Sequence, residues 1–200
     1  MRTQFALRTR FRRPLAIVAA AALLLMGCGD DGASTGNGGG GGTLTAEEYA
    51  QGMCGAASNW MTALQDRNTQ LQDDLGGAPS GDLSAIKELM VAFLGGAVQD
   101  TETLIDEVSA LSPPDVENGA QIHASVLSAF TQARDLFADA RDQVDGLDPN
   151  DAAAFTQALS DLGTTLSEAG TEIAASFGGL ENEELGTAFD DTPACAEVSA

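Results

Sequence analysis

From Leu44 onward the sequence predicts an all-α domain, an antiparallel up-down-up-down four-helix bundle with a short C-terminal tail. Three observations predict it. Apolar residues recur in alternating steps of three and four over four long stretches, the spacing that lines one face of a helix. Strand patterns are nearly absent, with no period-two alternation and few runs of Val, Ile or Thr. Connections of about four to seven residues between long helices favour antiparallel neighbours. Residues 44–200 amount to one domain, and a chain of that length buries about 70% of its unfolded surface.

The first helix is expected from Thr45, where Glu48 three residues on completes a capping box, to Leu75 before Gly76-Gly77. Its seam is Ala50, Cys54, Ala57, Met61, Leu64, Asn68, Leu71 and Leu75. The second runs from Asp82 to Leu111 through Leu83, Ile86, Met90, Phe93, Ala97, Thr101, Leu104 and Val108, and Ser112-Pro113-Pro114 stops it. The third runs from Asp115 to Asp145, with Gly146 as its cap. Its seam is Val116, Gly119, His123, Val126, Phe130, Ala133, Phe137, Ala140 and Val144. Asp148-Pro149-Asn150-Asp151 then opens the fourth, with a capping Asp and Pro in the first turn. Phe155, Leu159, Leu162, Leu166, Ala169, Ile173 and Phe177 form its seam. Residues 178–200 are the tail, with one helical turn expected around Glu183 to Phe189.

Ahead of this domain, the chain has a different organisation. Arg2, Arg8, Arg10, Arg12 and Arg13 precede twelve apolar residues, LAIVAAAALLLM, then Gly27 and Cys28. Charged, apolar and small segments in that order make a secretory signal, and the run is short of the ~20 residues a helix needs to span a bilayer. Leu25-Met26-Gly27-Cys28 resembles a bacterial lipobox. The resemblance implies a signal peptide over residues 1–27 and a diacylglycerol thioether on Cys28, often with a further acyl chain on its new amino group. Two or more chains hold a protein firmly to a membrane. Arg12-Arg13-Pro14-Leu15 weakly resembles a twin-arginine signal, so two export routes stay open. Residues 28–43, glycine-rich and free of large apolar side chains, form a flexible tether; fifteen such residues reach about 20 Å on average.

Charge divides at the same point. Five of the nine basic residues precede Cys28, so the chain beyond it keeps Arg67, Lys87, Arg134 and Arg141 against thirty acids, a formal charge of −26. Such a surface repels nucleic acid, whose binding needs Lys and Arg on phosphates, and stands off anionic lipid headgroups.

Besides Cys28, the cysteines are Cys54 and Cys195. Outside the cytoplasm such a pair is normally a disulfide, and an antiparallel bundle brings the tail beside the start of the first helix. His123, the single histidine, lies on the core seam near the base of the third helix. It reads as a half-buried histidine satisfied by a neighbour, or as a ligand site at that end. Gly95-Gly96 in mid-helix marks either a kink lining a cavity or close packing against a bulky neighbour such as Trp60.

No metal, cofactor or catalytic set is expected. Ala120 stands where an inward Glu-x-x-His motif needs Glu, and Met53, Met61 and Met90 are too scattered for a copper site. The stretch from Asp142 to Asp151 lacks the alternating acids and closing Glu of a calcium loop, and helix caps account for its Asp residues. There is no phosphate loop and no dinucleotide fingerprint.

The whole layout resembles the small lipoproteins of actinobacteria: lipobox, glycine-rich tether, acidic helical domain, one disulfide. The resemblance carries no functional residue beyond Cys28. The expectation is a non-enzymatic binding or scaffold module on the outer face of the cell membrane, with a protein partner in the envelope. The alternative is a bundle that carries a small apolar ligand or a cation near His123, Gly95 and Gly96.

Overall fold

A computed structural model describes residues 42–79, 81–178 and 182–199, with 172–178 and 197–199 described by their backbone. The expected signal segment, Cys28 and nearly all of the expected tether lie outside the described residues. Among the described residues there are six helices: α1 (Ala46–Gly77), α2 (Leu83–Ser109), α3 (Gly119–Asp145), α4 (Ala152–Gly178), α5 (Glu183–Asp191) and α6 (Pro193–Ser199). None is long and apolar enough to cross a membrane.

Local chemistry explains the boundaries. Thr45 and Glu48 form the reciprocal capping box: the Glu48 amide donates to the Thr45 hydroxyl at 3.2 Å and the Thr45 amide to the Glu48 carboxylate at 3.0 Å. Asp82 caps α2 through the Ala85 amide at 3.1 Å. The third helix starts four residues later than its sequence suggests. The Asp115 amide donates to the Leu44 carbonyl, and the Leu44 amide to the Pro113 carbonyl, so residues 113–115 pair with the strand-like Leu44 instead of beginning a helix. Asn118 then turns the chain at φ 59°, and a side chain at Gly119 would strike the Pro114 carbonyl. Gly146 ends α3 in a right-handed conformation, φ −75°, and not in the left-handed one common after helices. The cap of α4 is Asp151, whose carboxylate accepts from the Ala154 amide at 3.0 Å. Asp148 accepts from Asn150 in the preceding turn, so Pro149 stays outside the helix.

α1, α2 and α3 alternate in direction. Gly52 meets Leu111 and Trp60 meets Thr101 between α1 and α2, and Lys87 meets Leu147 between the start of α2 and the end of α3. α1 and α3 therefore begin at the same end, here called the base, where Tyr49 touches His123.

Two apolar clusters result. At the base, Tyr49, Ala50, Met53 and Cys54 of α1 pack with Leu104, Val108, Ile122, Val126 and Phe130, and with Leu185, Ala188 and Cys195 of the tail. At the far end, Leu94, Ala140, Val144 and Leu162 join α2, α3 and α4, with Met90, Phe93, Phe137, Leu159 and Leu166 against them. Burying each such Leu, Val or Phe contributes about 1.5–3 kcal/mol.

α4 packs on α3, and it is the tail that packs on α1. The apolar stripe of α4 packs with Phe137, Phe93 and Leu94, whereas the base of α1 takes Leu185, Ala188 and Cys195 of the tail, with Phe189 and Ala194 partly covered beside them. The tail is thus two helices in place of one expected turn. Being covered on two sides, the base of α1 buries Ala46, Tyr49, Met53 and Ala56 in addition to its predicted seam.

Candidate functional site

Three of the predicted site residues converge at the base. Cys54 and Cys195 are joined, with sulfurs 2.03 Å and Cα atoms 4.9 Å apart, across a sequence separation of 141. The expected pairing is present, and α6 of the tail supplies its second half. Both half-cystines are buried, at 6% and 4% exposure.

His123 sits at this same end, on the first turns of α3. Its Nδ1 lies 3.1 Å from the hydroxyl of Tyr49, a residue with no exposed surface, and the two rings meet edge-on with centroids 5.7 Å apart. Burial pushes the histidine below its ordinary pKa and the tyrosine up to about 12. Both are therefore neutral at neutral pH. The hydroxyl and Nδ1 share one hydrogen bond, whose direction follows the histidine tautomer. This neutral pair is held on two helices. Its chemistry is that of a satisfied core contact. Among the described residues no buried side-chain nitrogen or oxygen lacks a hydrogen-bond partner.

Gly95 and Gly96 are elsewhere. Gly96 faces α1 at Arg67, eighteen residues along the helix from Tyr49 and so roughly 27 Å from it along the axis. A side chain at Gly96 would overlap the Arg67 guanidinium, whereas one at Gly95 would make ordinary contact with Arg141 at 3.8 Å. The glycine pair thus marks close packing, and the bulky neighbour is Arg67 rather than Trp60. Arg67 forks onto Asp100, with Nε on one carboxylate oxygen and Nη2 at 2.9 Å from the other. The carboxylate raises the pKa of the guanidinium further, chiefly through that hydrogen bond. Trp60 instead donates its indole N–H to Thr101 at 3.0 Å, and Thr101 donates its own hydroxyl proton to the Ala97 carbonyl at 2.8 Å. Thr101, wholly buried on a seam of apolar residues, is the one sequence signal that a polar partner lies opposite. The Arg67–Asp100 pair leaves no such signal, because charged residues on helix flanks are common.

The base also carries an open cleft of about 570 Å³ between the starts of α1 and α5, edged by Glu47, Glu183, Glu184, Asp191, Thr45 and Thr187. Among the described residues no group of three or more His, Cys, Asp or Glu side chains is arranged to hold a metal ion. Each basic side chain of the domain has an acid beside it away from this cleft: Arg67 with Asp100, Lys87 with Asp145, Arg134 with Asp135 and Arg141 with Asp142. Among the described residues the cleft acids have no such cation.

Comparison with protein-family models, curated proteins and solved structures found no match to this chain.

Proposed function

We propose that the protein is a lipid-anchored, non-enzymatic binding or scaffold module of the cell envelope, held by acyl chains on Cys28 and engaging an envelope protein partner. The observation that carries the reading is the order Arg-rich segment, apolar run and Cys28, with a glycine tract directly after. Three features support it. Leu44 is pinned between Pro113 and Asp115, so a tether from Cys28 meets the domain at its base. Cys54 and Cys195 are paired, as cysteines of exported proteins are. Among the described residues the cleft acids lack cations and repel anionic headgroups, so the domain stands off the bilayer by the length of its tether. The four long helices act as an up-down-up-down scaffold, closed on α1 by the tail. The single histidine is hydrogen-bonded to Tyr49 within the core, which supports the non-enzymatic reading.

Membrane fractionation of the wild-type chain and of Cys28→Ala tests this reading. The wild type is expected in the membrane pellet after high-salt washing, released only by detergent, and the variant should lose its detergent dependence. A wild-type chain that washes off in salt, or a variant indistinguishable from it, contradicts the anchor.

A further inference from the structure

The tail and the rest of the domain are joined in an unequal way. α5 has nine residues and α6 has seven, lengths at which isolated helices are marginal in water. Among the helices they pack chiefly on α1 and on each other. Among the described residues their buried apolar contribution is Leu185, Ala188 and Cys195, with Phe189 and Ala194 partly covered. One long hydrogen bond, from the Asn182 amide group to the Glu117 carbonyl at 3.3 Å, ties the start of the tail to the connection before α3. Yet this tail packs on the base of α1, where Ala46, Tyr49, Ala50 and Met53 are at most 7% exposed; Tyr49 faces His123 of α3, and the Cys195 sulfur lies 3.7 Å from the Ala50 carbonyl. The far-end cluster of Leu94, Ala140, Val144 and Leu162 shares no residue with it.

From this arrangement we propose that the Cys54–Cys195 disulfide is a redox latch: its reduction releases α5 and α6 from α1 and uncovers the base of α1, while α2, α3 and α4 stay folded. The chemistry is thiol–disulfide exchange with an external dithiol. One thiolate of the reductant attacks one protein sulfur and forms a mixed disulfide, expelling the other sulfur as a thiolate that takes up a proton. The reductant's second thiol then displaces the first protein sulfur. Two electrons and two protons pass to Cys54 and Cys195, and the reductant leaves as a disulfide. Because both sulfurs are buried, the exchange goes through a partly undocked tail, so opening and reduction favour one another.

Hydrogen exchange read by mass spectrometry on the full chain tests the latch. The chain is compared oxidised and after treatment with a phosphine reductant in native buffer, with both thiols confirmed by alkylation. Exchange over residues 182–199 and 46–56 should rise by on the order of tenfold or more, with residues 83–166 unchanged. Three results overturn the latch. One is a tail that keeps its protection in the reduced chain. The second is loss of protection over 83–166 together with the tail. The third is a disulfide that resists the reductant until the whole chain unfolds.

Discussion

The two ends of this domain reach the same degree of burial by different means. At the far end, large apolar side chains on regular seams meet each other: Leu94 is 1% exposed and Val144 fully buried, with Leu162 and Phe137 between. At the base, the buried residues of α1 are mostly small, and their closure is specific. A disulfide, a tyrosine–histidine hydrogen bond and a backbone pairing at Leu44 are added there to the apolar packing of Leu104, Val108, Ile122, Val126 and Phe130, and among the described residues the far-end cluster has no such links. Packing by bulk tolerates sliding and is spread over many residues. Closure by named pairs concentrates the stability in a few bonds, and that is where a single change has the most selective effect.

The largest effect is expected from cutting the bridge. Replacing both Cys54 and Cys195 by Ala removes a cross-link whose loop-entropy value is about 5 kcal/mol, so the midpoint of chemical denaturation should fall by more than for any other change considered. Next comes Leu94→Ala at the other end, expected to cost about 2–5 kcal/mol through the cavity it leaves, with the disulfide and the tail unaffected. If instead both changes loosened both ends to the same extent in hydrogen exchange, the contrast between the ends would be wrong.

A smaller effect comes from Tyr49→Phe, about 1–2 kcal/mol, since the buried His123 nitrogen is left without its hydrogen-bond partner. Here pH sharpens the comparison. Tyr49 is the single tyrosine, so its near-ultraviolet absorbance titrates one group, and ionisation near pH 12 is expected where an exposed tyrosine gives about 10. Between those values the unfolded chain has already lost its proton and the folded one has not. Wild-type stability therefore declines as alkali is added, and that of Tyr49→Phe does not share the decline. His123, lowered by burial, works in the acid direction. As pH falls below about 6.5 the unfolded histidine takes up a proton first, and stability is lost until the folded residue protonates too. His123→Gln should flatten that acid slope.

The smallest changes concern the glycine pair in α2. Gly95→Ala should stabilise by up to about 1 kcal/mol, the helix-propensity gain, because its new methyl group meets only Arg141. Gly96→Ala should show little or no gain, since the methyl group displaces Arg67 from Asp100 and a part-exposed ion pair is worth about 0.2–1 kcal/mol. Thermal melts of the two variants side by side decide it. Equal gains would mean that Gly96 has no packing role.

The same contrast explains how much is legible in the sequence. The far-end seams are, because a three-four spacing of Leu, Phe and Val is a direct consequence of helix geometry. The cap at Thr45 and the stop before Pro113 are legible for the same local reason. The pairing of Cys54 with Cys195 is too, from cysteine number and the return of the chain to its starting end. The side of α1 that α4 leaves to the tail is not legible. The stripe of α4 is equally suited to α1 or α3, and α1 lies about 100 residues away in sequence, beyond the reach of local patterning. Of the two tail helices, α5 falls where a helical turn is expected around Glu183 to Phe189, whereas α6, seven residues long, is too short to show a period. Within the candidate site, the position of His123 on the core seam is readable, but its Tyr49 partner is not, since 74 residues separate them. Gly96 signals a close approach without naming Arg67 as the group that approaches.

Whether Cys28 anchors the chain is decided by the intact mass of the protein extracted from its own membranes, measured under native and then denaturing conditions. The expected result is a denatured chain that begins at Cys28, carries diacylglycerol and acyl mass, and is two hydrogens lighter than its fully reduced form. A chain retaining residues 1–27, or one beginning elsewhere without lipid, would contradict the anchor.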